Sequence, residues 1–303
     1  MFVLKLVLAL CFAHPAIAQN EYRKILSGEI RSGFEPVREV NVRHKDASRA
    51  VVVDERRALG LVLEQDWQGG NLDWIRHGRP GFAQRIQFRE NHRKRMKPGR
   101  EYWYTASFYI PKSVPRVSSH TLSLMDFKHY IGGHGSVPTV SLNILPNGSL
   151  HVIEALSSKW NCGAYKNVNG GKTSVCDRVE TVGRLGSQSH YSGRWVQMIA
   201  HMKWANDPTG FFRLWIDGRP IIGFTGNTLQ GSTQVEYKFG LYRHHIKRNP
   251  GRVEAFYADI ARAKACEKLP GVNCAALQTP AAGFQNIRGR ERWVSNEFSE
   301  LKN

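Results

Sequence analysis

The sequence predicts an all-β protein folded as a β-sandwich. Three observations carry this: short apolar or alternating runs recur along the chain, turn signals separate them, and no long amphipathic helical pattern interrupts them. With 41% apolar and 11% aromatic residues in 303, the chain can bury a sizeable core, which excludes disorder for most of it. A β-sandwich can run past about 250 residues as one domain, so one domain is expected.

The first 18 residues predict something other than fold. Lys5, an apolar run from Leu6 to Phe12, and the small-residue end Ala16-Ile17-Ala18 have the pattern of a cleaved secretory signal peptide. The apolar run is shorter than the ~20 residues a membrane span needs. The expected organisation is therefore a signal at 1–18, a β-domain at 19–278 and a polar tail at 279–303. A secreted or periplasmic location follows, with no membrane association after cleavage.

Strands are predicted in order from composition and turns. Gln84–Glu90 and Leu124–Tyr130 alternate, and Arg100–Ile110 is aromatic and β-branched until Pro111 stops it. Val137–Ile144 and Ser149–Ala155 flank a turn at Asn147-Gly148. Trp195–Trp204 and Phe211–Ile216 form a second hairpin, followed by the tight turn Asp217-Gly218. Tyr237–His244 supplies a last alternating run. No internal repeat or low-complexity segment occurs.

Secretion governs how the cysteines are read, because an oxidising compartment favours disulfides. Cys11 leaves with the signal, and Cys162, Cys176, Cys266 and Cys274 remain. Three pairings are open. The local one, Cys162 with Cys176 and Cys266 with Cys274, is expected because each pair brackets a loop containing Gly or Pro. Spacings this wide and irregular, without Cys-x-x-Cys, do not suit zinc.

Charge narrows the function. Lys and Arg number 43 against 25 Asp and Glu, a formal charge of +18 that becomes +17 once Lys5 is removed. A folded surface carrying that excess suits a polyanionic partner. Period-2 alternation shows where the cations gather. Ile86 and Phe88 point one way, Arg85, Gln87 and Arg89 the other. Met125 and Phe127 oppose Asp126, Lys128 and Tyr130; Phe239 and Leu241 oppose Lys238, Gly240, Tyr242 and His244. Were the three strands to share a sheet, they would form a cationic groove. An ordinary solvated face mixes Ser, Thr, Glu and Lys, whereas these positions concentrate Arg, Lys and Tyr. His129 lies on the core side of its strand, as a packed core histidine would.

These segments resemble a family. Gln84-Arg85-Ile86-Gln87-Phe88-Arg89, Glu101-Tyr102-Trp103-Tyr104 leading to Tyr109-Ile110-Pro111, Gly193-Arg194-Trp195-Val196, Trp215-Ile216-Asp217-Gly218 and Lys238-Phe239-Gly240-Leu241-Tyr242-Arg243 are similar, in order and spacing, to the jelly-roll polysaccharide lyases, which include heparin lyase I, glucuronan lyase and alginate lyases. The resemblance runs from about Val51 to Lys264, and its most specific piece is Lys-x-Gly-x-Tyr at Lys238, Gly240 and Tyr242. It implies a single concanavalin-like jelly roll and cleavage of uronic-acid polymers by β-elimination. No cofactor is expected, and no calcium-loop pattern is visible.

That chemistry suits a basic groove holding a tyrosine. A uronate's C5 proton is a poor acid while its carboxylate is ionised, so a cation must neutralise the carboxylate, a base take the proton, and an acid protonate the leaving oxygen. Tyr242, Lys128 and Arg89 are the expected catalytic residues, with His129 as the alternative proton carrier. Arg85, Gln87, Lys238, Arg243, His244 and Asn143 are the expected substrate-binding set. Arg85 and Arg89 can meet a carboxylate bidentately, and Lys238 and Arg243 beside Tyr242 would favour its phenolate. The chain departs from the family pattern in two places: Gln87 stands at the acidic position of Arg-x-Glu-x-Arg, and Asp126-Phe127-Lys128 replaces Gln-x-His. Lys128 thereby becomes the candidate base, since a lysine among cations can be deprotonated.

Three other readings are weighed. A secreted lectin-like protein would bind acidic polysaccharide without forming product. A glycoside hydrolase would need two carboxylates ~5 to 9.5 Å apart, and the strand pattern Glu-x-Asp-x-x-Glu is absent. Nucleic-acid binding fits the charge, but no nucleic-acid motif is present and secretion argues against it. The expected partner is an acidic polysaccharide.

Overall fold

The structure, a computed structural model, describes residues 26–28, 34–36, 48–64, 83–117, 120–131, 134–156, 165–168, 171–174, 178–229, 232–244, 251–277, 285–287 and 290–294. Two antiparallel sheets stack face to face. The first contains β1 (Leu26–Gly28), β3 (Ser48–Val53), β4 (Arg56–Leu63), β6 (Glu101–Tyr109), β13 (Trp195–Lys203), β14 (Phe211–Ile216), β15 (Arg219–Thr225), β17 (Val253–Ala263), β18 (Gln285–Ile287) and β19 (Arg290–Val294). Their order is β18-β19-β15-β14-β13-β6-β17-β4-β3, with β1 parallel to β17. The second contains β2 (Phe34–Pro36), β5 (Ala83–Glu90), β7 (Thr121–Ile131), β8 (His134–Ile144), β9 (Ser149–Leu156), β12 (Arg178–Ser187) and β16 (Gln234–His244), in the order β12-β9-β8-β7-β16-β5-β2. A separate ribbon pairs β10 (Tyr165–Val168) with β11 (Gly171–Ser174). Among the described residues no helix is long and apolar enough to cross a membrane.

The expected elements appear. Each predicted strand is present within a few residues, and the turn after β14 places Asp217 and Gly218 both at positive φ, 50° and 76°. That geometry matches the twist of the flanking strands, which is why Asp-Gly stands there. Within 279–303, expected as a polar tail, β18 and β19 extend the edge of the first sheet through β15. The Cys266–Cys274 disulfide is present, with Cα atoms 5.9 Å apart. Cys162 and Cys176 lie outside the described residues, as does the segment 1–18.

Between the sheets one apolar layer runs through the sandwich, with Phe88, Tyr104, Phe127, Trp204, Phe212, Tyr237, Phe239 and Tyr257 among its largest members. It also holds one charged cluster. Glu90, at the end of β5, is fully buried and accepts hydrogen bonds from the Tyr104 hydroxyl at 2.6 Å, the Arg262 guanidinium at 2.6 Å and the Tyr237 backbone N–H at 3.0 Å. These partners come from β6, β17 and β16, so this carboxyl ties both sheets together. Burial pushes its pKa up to about 7 even with Arg262 alongside.

Candidate active site

The site is assembled where β5, β16 and β7 run side by side. Directly opposed residues of antiparallel strands share a face, so the register fixes which side chains stand together. Tyr242 pairs with Arg85 on one side and Ser123 on the other; Ser123 pairs with Asn143, and Asn143 with His151. A second row joins Arg89, Lys238, Asp126 and Ser141. Gln87 opposes Gly240 between those rows, and Lys128 opposes Glu236 one row further on. The three alternating segments thus lie adjacent in one sheet, with their polar sides on its outer face and Phe88, Phe127 and Phe239 turned into the core.

Two irregularities shape this surface. The β7 register slips between Ser123 and Met125 against β8, and against β16 it slips between Phe239 and Tyr242. The extra residue leaves Leu124 and Met125 both in the core and brings Ser123 round to Asp126, three positions away, where its Oγ donates to Asp126 Oδ1 at 2.7 Å. Gly240 occupies φ +124°, and a Cβ there would sit 2.3 Å from the Ile86 carbonyl oxygen. Only glycine lets β16 lie this close to β5 at that point.

Two buried acids underlie this face, Glu236 paired with cations and Asp126 held by neutral donors. Asp126 also accepts from Gln87 Nε2 at 3.0 Å. Glu236, fully buried, pairs with Lys238 Nζ at 3.0 Å and with Arg95 Nε at 3.1 Å, and Arg95 further donates to Gln234 at 3.3 Å. Arg85 lies with its guanidinium carbon 4.2 Å from the centre of the Tyr242 ring, a cation–π contact. Arg85, Gln87, Asp126 and Lys238 are buried, while Arg89, Lys128 and Tyr242 are half-buried. Among the described members of these rows, Arg89, Lys128 and Tyr242 are thus the more open ones, above a hydrogen-bonded layer.

Other sequence candidates sit elsewhere. Arg243 is a correction: it is fully buried on the opposite side of β16 from Tyr242, donating to Gln84, to the Glu64 carbonyl and, at 2.6 Å, to the Gly251 carbonyl. With its donors directed at carbonyls inside the protein, it is not part of the outer face, and burial lowers its pKa to about 10. His129 is likewise fully buried, packed edge-on against Trp204 with centroids 5.5 Å apart, as expected of a core histidine; this removes it as a proton carrier that touches substrate. Asn143 does lie on the face, donating to Ser141 Oγ at 3.0 Å. The His244 backbone pairs with Ala83 and Thr121, and its side chain lies outside the described residues. Glu236, Arg95, Ser123 and His151 were not singled out from the sequence. Alternation marks Glu236 as a partner of Lys238 once the run is extended one residue back, whereas Ser123 depends on the bulge. Among the described residues, no group of three or more His, Cys, Asp or Glu side chains is arranged to hold a metal ion.

Comparison with known proteins places these observations in context. A family model for polysaccharide lyases matches residues 32–261. Among solved structures, an endo-β-1,4-glucuronan lyase from the fungus Trichoderma reesei superposes with a TM-score of 0.51 at 19% identity, covering 73% of this chain and 87% of that one. An alginate lyase from a Chlorella virus gives 0.44 at 10% identity, over 72% of this chain and 89% of that one. No curated protein sequence matches the chain. The first likeness establishes the two-sheet jelly-roll fold.

Proposed function

The chain belongs to the polysaccharide lyase family, and from that premise we propose that it is a secreted enzyme cleaving a uronic-acid polysaccharide by β-elimination on the outer face of β5, β16 and β7. The observation that carries this reading is the exposure pattern: Arg89, Lys128 and Tyr242 are the half-buried members of a face whose other members are held beneath them.

In this reading Arg89 meets the substrate carboxylate, and Lys238, in the same row, adds positive potential from below. Neutralising that carboxylate makes the C5 proton acidic enough to remove. Tyr242 transfers protons to the departing glycosidic oxygen, with Arg85 against its ring favouring the phenolate when it must accept one. Lys128 is the further base, half-buried on the same face of β7. Asp126, engaged by Gln87 and Ser123, acts as a structural acid beneath the cations rather than as a proton carrier. Gln87 and Asn143 lie buried beneath that surface, Gln87 holding Asp126 and Asn143 donating to Ser141. The predicted signal peptide and the Cys266–Cys274 disulfide support secretion into an oxidising compartment.

The test is direct. Purified protein is incubated with a panel of uronic-acid polymers, and the ultraviolet absorbance of the unsaturated sugar is followed. Absorbance should rise on at least one polyuronate and on no neutral glucan. Saturable binding to polyuronates without any product would overturn the catalytic reading in favour of a binding protein.

A further inference from the structure

The connection from β5 to β6 is the most cationic stretch the sheet edge presents. Residues 91–100 contain five Lys or Arg and no Asp or Glu, in a chain with 43 such cations among 303 residues. The stretch is exposed at Arg93, Lys97 and Arg100, yet it is held at many points. Asn91 accepts from the Arg93 and Lys94 backbone N–H groups at 3.0 and 2.7 Å. Met96 exchanges backbone hydrogen bonds with Val235 at 2.8 and 3.3 Å, and its buried side chain accepts from Trp204 Nε1 at 3.1 Å. The Lys97 and Gly99 N–H groups donate to the Tyr102 hydroxyl at 3.0 Å and the Trp204 carbonyl at 2.8 Å. A cationic loop fixed in this way loses little freedom when an anion settles on it.

Its position gives it a use. The loop leaves β5 after Glu90, one residue past Arg89, and Arg95 turns back onto the candidate face to meet Glu236, the acid that also holds Lys238. The Met96–Val235 bridge lies three residues along β16 from Lys238, ~10 Å at the rise of a β-strand. A polymer whose reacting sugar lies between Arg89 and Tyr242 and whose chain continues past Lys128 would cross Arg95 and reach Arg93, Lys97 and Arg100.

We propose that residues 91–100 form an anchoring site for the anionic polysaccharide, beyond the reacting sugar, which makes binding depend on chain length. This deepens the reading of the β5–β16–β7 face and rests on it. The loop touches no reacting atom; it binds carboxylates of sugars further along the chain.

The test combines Arg93→Ser, Lys97→Ser and Arg100→Ser, three exposed positions outside the candidate catalytic set. Equilibrium binding is measured in a Tyr242→Phe background, so that nothing is turned over, with long polyglucuronate and with its trisaccharide at 0.1 M salt. Surface cations each contribute modestly. Removing three should weaken long-polymer binding about tenfold, flatten its salt dependence, and leave the trisaccharide unchanged. In the catalytically intact background KM for the polymer should rise by a similar factor at constant kcat. Equal losses on polymer and trisaccharide, or no loss on either, would overturn the anchor. If wild-type protein forms no unsaturated product yet the triple variant still loses long-polymer affinity, the lyase reading fails and the anchor stands. Product formation with unaltered polymer binding gives the reverse.

Discussion

Arg89 and Glu90 are adjacent in the chain and belong to opposite worlds. Arg89 points to the outer face, half-buried, beside Lys238; Glu90 points between the sheets, fully buried, against Arg262 and Tyr104. Each region mixes acids with cations. On the outer face the acids Asp126 and Glu236 lie beneath, and cations are left within reach of a ligand. Between the sheets the carboxyl is surrounded on all sides by its own protein's donors, and those donors come from both sheets. The difference teaches that charge in this molecule has two placements: the inner cluster links the two sheets, and the outer one lies on the face where the proposed substrate would meet it.

The largest expected effect separates those placements with one atom removed from each region. Tyr242→Phe should lower turnover by ~10² to 10⁴-fold, the loss typical of a positioned proton donor, with polymer binding and the urea midpoint nearly unchanged. Tyr104→Phe removes a hydroxyl from Glu90 instead. It should cost ~1 to 3 kcal/mol of stability and leave turnover per folded molecule intact. Normal turnover by Tyr242→Phe would take Tyr242 out of the mechanism.

Next in size is Arg262→Met. Glu90 then stays buried without its cation, and urea unfolding at pH 8 should report a loss of ~3 to 5 kcal/mol. The loss should shrink at pH 5, where Glu90 takes up a proton and no longer needs a counter-ion. A pH-independent loss would mean that Arg262 matters through packing alone.

The smallest effect is the pH dependence itself. Because the folded protein raises the Glu90 pKa from 4.5 to about 7, it binds that proton more tightly than the unfolded chain. The Glu90 contribution to stability is therefore greatest below pH 4.5 and declines as pH rises through about 7. His120 acts in the opposite sense: burial and Arg243 lower its pKa to about 4, and it costs stability as pH falls below 6.5. Comparing wild type with Glu90→Gln by urea unfolding between pH 4.5 and 8 isolates the first term. The difference between the two proteins should change across that interval; a constant offset would place Glu90 at an ordinary pKa.

Much of the fold was legible because period-2 alternation survives wherever one side of a strand meets the core. Phe88, Phe127 and Phe239 marked that side, and the Asp217-Gly218 and Asn147-Gly148 turns marked the hairpins. The polar row of the candidate site was legible for the same reason. What alternation could not show was the bulge at Leu124, because an extra residue changes which positions share a face without any local sequence mark except Gly240 on the neighbouring strand. Arg243 differs for another reason: its place in the alternation is inward, but a charged residue draws attention to solvent, and its burial depends on carbonyls of Gly251, across a loop, and of Glu64, far away in sequence. The Glu90 cluster was hidden likewise, since its partners lie on three other strands.

The order of strands also has a consequence in time. β5 finds its neighbour β16 about 150 residues later, as Arg89 meets Lys238, and β4 and β6 both wait for β17, as Leu63 meets Val253 and Tyr109 meets Phe256. Pairings at such separation are slow to form, and chains that make them expose strand edges meanwhile. A nascent chain that has emerged only as far as Thr225 holds Arg85, Arg89 and Lys128 but neither Lys238 nor Tyr242, and its first sheet lacks the strand that joins β4 to β6. In the proposed reading, the candidate face is therefore completed only late in synthesis, when β16 joins β5 to β7 and β17 joins β4 to β6.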